Sequence, residues 1–144
     1  MQTKKLIYIL LLSFAVISCR QPGKNTPAEE QSGAGLWEEV MAVHDEVMPK
    51  MGELSSLKKD LRNLPQDSLV QAGISELTLA EDAMWDWMHG LKPHDEIEEM
   101  GQEEAQTYLE QEKEKISAVK DKMLHSMETA KSLLAETEKP VDHH

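Results

Sequence analysis

Apolar residues return every three or four positions from Leu36 almost to the C-terminus, and they hardly ever alternate. Trp37, Val40, Met41, Val47, Met48, Met51, Leu54, Leu57, Leu61 and Leu64, with His44 among them, form the stripe of an amphipathic helix. Pro49 and Gly52 interrupt it, because proline removes a backbone donor and crowds the preceding turn, so a kink is expected there; Pro65 ends it. A second helix is expected from about Ser68 to Leu91, with Leu69, Leu77, Met84, Met88 and Leu91 inward and a soft point at Gly73. Gly90 and Pro93 mark its end. The acidic stretch from Lys92 to Gly101 has room for one helical turn around Ile97.

The last helix is the longest. Ala105, Leu109, Ile116, Val119, Met123, Ala130 and Leu133 keep near-heptad spacing until Pro140, with Glu112 as the polar intruder in the seam. Glu110 with Lys113 and Glu128 with Lys131 lie three apart, the spacing of ion pairs along one helix face. Strand signals are missing. The short turn at Pro65 makes the first two helices antiparallel neighbours. The pattern thus predicts an all-α fold, an up-down-up three-helix bundle over residues 36–139 with a long, partly coiled-coil-like last helix and a disordered tail, 140–144. Because that helix outreaches the second, apolar surface near Met123, Met127 and Leu134 is expected to need a partner or a second copy.

The N-terminal residues follow another pattern. Lys4 and Lys5 precede an almost unbroken apolar run from Leu6 to Ile17, then Ser18 and Cys19. Roughly a dozen apolar residues are too few for the ~20 that a bilayer core requires, whereas a charged start, a short apolar run and a small residue before the cleavage point make an export signal. Val16-Ile17-Ser18-Cys19 looks like a lipobox. Residues 1–18 are therefore expected to be a lipoprotein signal peptide, with cleavage before a Cys19 acylated on its sulfur. Residues 19–35 read as a flexible tether, since Pro22, Gly23, Pro27, Ser32, Gly33 and Gly35 break every period. No acidic cluster of the kind that resembles a surface-export signal follows the cysteine at once, so a lipid-anchored, periplasm-facing position in a bacterial envelope is expected.

Charge and cysteine usage narrow the possibilities. The formal net charge is −12, and losing Lys4 and Lys5 makes it −14. Nucleic-acid binding would need a basic stripe that is missing. Cys19 is the sole cysteine, so its acylation leaves no thiol for a disulfide, a metal cluster or a nucleophile.

The segments His44-Asp45-Glu46-Val47-Met48-Pro49-Lys50-Met51 and Met84-Trp85-Asp86-Trp87-Met88-His89, continuing through Tyr108-Leu109 and Lys115-Ile116, resemble a group of small helical lipoproteins of Bacteroidota. Some of these carry the label "viral A-type inclusion protein", which reflects coiled-coil similarity. The resemblance covers most of the chain after Cys19. It implies a helical fold and an envelope location, and it supplies no activity or catalytic residue.

The same two segments hold the one constellation with chemistry to offer. Equal helical rise on either side of a turn near residues 65–67 places Met48 opposite Met84 and His44 opposite Met88. Met41, His44, Met48 and Met51 share one face of the first helix, Met84 and Met88 one face of the second. Thioether and imidazole donors suit Cu(I) or Ag(I) rather than zinc, magnesium or calcium, which makes Met41, His44, Met48, Met84 and Met88 a candidate soft-metal set, with Trp85 or Trp87 as a π-face. Methionine is equally a flexible core filler, and a bundle poor in phenylalanine needs one. His44 alone reads more simply as a half-buried histidine bonded to a carboxylate, His89 and His94 as cations near a helix end, and His143 and His144 as part of the tail.

Other chemistries fit poorly. A di-iron bundle wants Glu three residues before His, yet Met41, Asp86, Leu91 and Lys122 stand at that offset. A haem between His44 and Met84 or Met88 would be crowded out by large neighbours. No phosphate loop, dinucleotide fingerprint or nucleophile elbow occurs, and an enzyme is not expected. The expectation is a non-catalytic interaction or scaffold module, with no cofactor, that meets the membrane through Cys19 and another envelope protein or a second copy of itself. The alternative is a periplasmic Cu(I)/Ag(I)-binding protein. A dry cluster with His44 bonded to a carboxylate would favour the scaffold; three convergent sulfur and imidazole atoms would favour the metal.

Overall fold

The computed structural model describes residues 33–137, and all its regular structure is helical. The expectations for the signal segment, Cys19, most of the tether and the tail with His143 and His144 lie outside the described residues. In chain order the elements are α1 (Gly33–Val47), a 3-10 turn (Met48–Lys50), α2 (Met51–Arg62), α3 (Ser68–Gly90), the short α4 (His94–Glu98) and α5 (Gln102–Thr137). None of the described helices is long and apolar enough to cross a membrane. Helix α1 starts at Gly33, so the last residues assigned to the tether, Gly33 to Gly35, are helical.

Each boundary has a local cause. Pro49 falls within the 3-10 turn, where its missing N–H interrupts the α-helical ladder between α1 and α2. The Gln66 side chain donates to the carbonyls of Leu61 (3.1 Å) and Leu64 (2.8 Å), occupying acceptors that the end of α2 leaves open. Asp67 then caps α3, its carboxylate accepting from the Leu69 and Val70 N–H groups at 2.9 Å each. At the far end of α3 the backbone turns extended at Leu91, two residues before Pro93, and Ile97 anchors the single turn of α4 in the core.

One continuous core runs through these helices, with Val40, Val47, Leu54, Leu61, Leu77, Met84, Leu109, Ile116 and Met123 fully buried in it. Helix α5 is the common partner: α1, α2 and α3 all pack on it, and α2 also packs on α3. Lys113 pairs with Glu39, Lys120 with Glu46 at 2.6 Å and Lys131 with Glu53 at 2.6 Å, so residue numbers rise together along the two segments. Against α3 they run oppositely, with His44 beside Trp87 and, just past the end of α3, Trp37 beside His94 of α4. Both contacts fall one residue short of the equal-rise expectation.

Four side-chain expectations are corrected. Leu69 is 63% exposed; it stands in the first turn of α3, and Val70 takes the inward place instead. Gly73 is a point of close approach rather than a soft point, being buried against Leu61 and Leu133. Met123 and Met127 are buried and Leu134 half-buried, so they do not form the exposed apolar surface expected of an overhanging helix. Lys113 and Lys131 bridge to α1 and α2 instead of pairing with Glu110 and Glu128 along α5.

Candidate functional site

His44 is on α1, three residues after Met41 and four before Met48 at the start of the 3-10 turn; Met84, Trp87 and Met88 share a face of α3. The two sets meet at a ring contact. His44 and Trp87 have centroids 5.7 Å apart and planes inclined by 32°. The imidazole side chain is only 16% exposed, and its Nδ1 lies 2.9 Å from an Asp45 carboxylate oxygen. An ionised carboxylate only accepts, so Nδ1 is the donor in this contact.

Around this contact the sulfurs differ in depth. Met84 is 0% exposed within the core; Met48 and Met88 are half-buried and pack against it, and Met41 is half-buried. Of the two candidate rings only Trp87 faces inward, whereas Trp85 is 46% exposed and stacks with His89 at 6.2 Å. Residues two apart on a helix point in different directions, which is why the pair divides in this way. The Trp87 Nε1–H has no hydrogen-bond partner among the described residues. An unmet buried donor costs about 1–3 kcal/mol.

The site residues that sequence reasoning missed are Trp37 and Trp87 as histidine partners. Trp37 sits 4.6 Å from the His94 ring, and His94 Nδ1 lies 3.7 Å from Glu98. With Trp85 beside His89, each tryptophan of the chain stands next to a histidine. The signal available was the number rule for facing helices, which had named Met88 where Trp87 stands.

Away from this cluster, the buried polar groups are satisfied by neighbours. Lys58, on α2, pairs with Glu81 on α3, and Ser55 donates to the same carboxylate at 3.1 Å. The hydrogen bond from Lys58 holds the Glu81 carboxyl below its ordinary value, against the opposing effect of burial. Glu112, the polar intruder, is buried and takes a 2.6 Å bond from Lys115, whose own pKa rises mainly through that bond. Tyr108 accepts from the Lys92 backbone N–H at 2.8 Å, and burial pushes its phenol pKa up. Among the described residues no group of three or more His, Cys, Asp or Glu side chains could hold a metal ion. A groove of about 270 Å³, lined by His94, Ile97, Met100 and Ala105 among others, opens beside Gly33 where α1 begins.

No family model, curated protein or solved structure matches this chain. The functional reading therefore rests on its own residues.

Proposed function

We propose that the chain is a bacterial envelope lipoprotein, acylated at Cys19, whose helices form an up-down-up three-helix bundle serving as a non-catalytic interaction or scaffold module. The observation that carries this reading is how the buried polar side chains are used. Lys58 goes to Glu81, Glu112 to Lys115 and Ser126 to the Met123 carbonyl. Each supports a helix or a helix pairing; none is a buried acid or base facing an open cleft, the arrangement proton transfer calls for. The export signal read in Lys4, Lys5, the apolar run Leu6 to Ile17 and Val16-Ile17-Ser18-Cys19 supports the envelope location.

The surface offered to a partner is the acidic α4 region, where Asp95, Glu96, Glu98 and Glu99 are exposed around the single inward residue Ile97. A photo-crosslinking residue placed at Glu96 in living cells should give one discrete adduct with an envelope protein. Placed at Lys59, an exposed position on α2, it should give none. Equal, diffuse labelling from both positions would contradict the interaction reading.

A further inference from the structure

The groove beside Gly33 has walls from three further stretches of chain. Helix α4 contributes His94, Ile97 and Glu98, the turn after it Met100, and the first turn of α5 Gln102 and Ala105. Ile97 and Ala105 belong to the core and Met100 packs against it, so the lining has an apolar floor. Its volume of about 270 Å³ falls below the ~300–1,000 Å³ of small-molecule sites and suits a single large side chain. No Lys or Arg lines it, and from His94 to Glu104 the sequence holds six acidic residues and no Lys or Arg. The Glu98 side chain is 69% exposed, and His94 Nδ1 at 3.7 Å is beyond hydrogen-bonding distance, so its carboxylate is open to a cation from outside.

Resting on the interaction reading above, we infer that this groove takes one aromatic side chain from a partner protein whose chain carries Lys or Arg beside that anchor. Charge decides the class of occupant. A lipid headgroup, a fatty carboxylate or a phosphate would enter against the acidic residues of α4 and early α5, whereas a cation beside the anchor meets Glu98 and its neighbours. A second copy of this acidic chain is repelled in the same way. The chain's own residues 20–32 hold no aromatic, Leu, Ile, Val or Met residue to fill the floor, and their charges nearest Gly33 are Glu29 and Glu30. An aromatic anchor suits the floor better than an aliphatic one, because the Met100 thioether is a favourable neighbour for a ring. One such side chain seated in a small apolar pocket, with charged groups around it, is where protein interfaces concentrate their binding energy.

The test is calorimetric titration of the mature lipoprotein, in micelles of a neutral detergent, with the peptide acetyl-Lys-Phe-Lys-Lys-amide. Salt at about 0.15 M screens diffuse attraction beyond ~8 Å. The expected result is one peptide bound per chain, at least about tenfold more weakly when its Phe is replaced by Ala, and no binding when its Lys residues are replaced by Glu. Gln102→Trp, at an exposed position, fills the groove from the chain itself and should cost at least about tenfold in affinity. Glu98→Gln should cost about two- to fivefold, as for an exposed ion pair. Absence of binding, equal affinity for the Phe and Ala peptides, or an affinity unchanged in Gln102→Trp overturns the assignment. So does a tenfold gain on deleting residues 22–30, which would give the groove to the chain's own tether, or a dimer that Gln102→Trp dissociates, which would give it to a second copy. The Glu96 crosslink keeps the two readings apart: an adduct that forms although the peptide does not bind overturns the groove assignment alone.

Discussion

A methyl group added at Gly73 would lie 2.8 Å from Leu133 Cδ1 and 3.3 Å from Leu61 Cδ1. Leu133 is half-buried and can swing its methyl aside, and alanine gains about 1 kcal/mol of helix propensity over glycine. Gly73→Ala should therefore change stability by less than about 1 kcal/mol, while Gly73→Val, which also crowds the buried Leu61, should cost about 1–3 kcal/mol in denaturant unfolding. Equal stability of the two variants would contradict the close approach. Glu81 gives a pH prediction of definite sign. Its carboxyl is held below 4.5 by Lys58, so over the interval beneath 4.5 the unfolded chain binds a proton that the folded one does not. The pair's stabilisation is complete above about 4.5 and is lost as pH falls through the lowered folded value. The melting temperature should accordingly fall more steeply on acidification in the wild type than in Glu81→Gln, and parallel slopes would count against the pairing. Met48→Leu and Met84→Leu conserve volume and should each cost under about 1.5 kcal/mol, as read by the same unfolding. At this scale the sequence located the right level of two helices but chose Met88 over Trp87. Adjacent helical residues differ by about 100° in direction, and the rotation of a helix is set by packing that periodicity does not encode.

Helix boundaries were more legible, because their signals are local. Pro49 and Pro65 act through their own missing N–H groups, and both breaks appear near the expected places. Asp67 caps α3 with two 2.9 Å bonds; Asp67→Ala should lower stability by about 0.5–2 kcal/mol and speed amide exchange in the first turn of α3 while leaving α5 protected. Uniform loss of protection would mean that the cap is not local in its effect. The ion pairs were misjudged for the opposite reason. Glu110 and Glu128 are near Lys113 and Lys131 in sequence, but Glu39 and Glu53, more than seventy residues away, are the ones they reach. From Glu39 to Glu46 the offset to the paired lysine stays constant, and it widens by four residues at Glu53, across the 3-10 turn. Three residues rising ~2.0 Å instead of 1.5 Å account for about one of those four; the reach of the long side chains takes up the rest.

For the molecule as a whole, the pairs between α5 and the α1–α2 segment set register more than they stabilise, since exposed ion pairs are worth about 0–1 kcal/mol each. Stability comes from the core that α5 shares with every long helix. The all-α class could be read from the chain because a single apolar period runs through it, whereas the buried seams of α5 depended on which helices lie beside it. We propose that Cys19 attaches this helical module to the envelope. The most direct test is metabolic labelling with a clickable fatty acid, followed by membrane fractionation of the wild type and Cys19→Ala. The wild type should be labelled and membrane-bound, and the variant unlabelled and released from the membrane fraction. A Cys19→Ala protein that still carries the label and still sediments with membranes would contradict it.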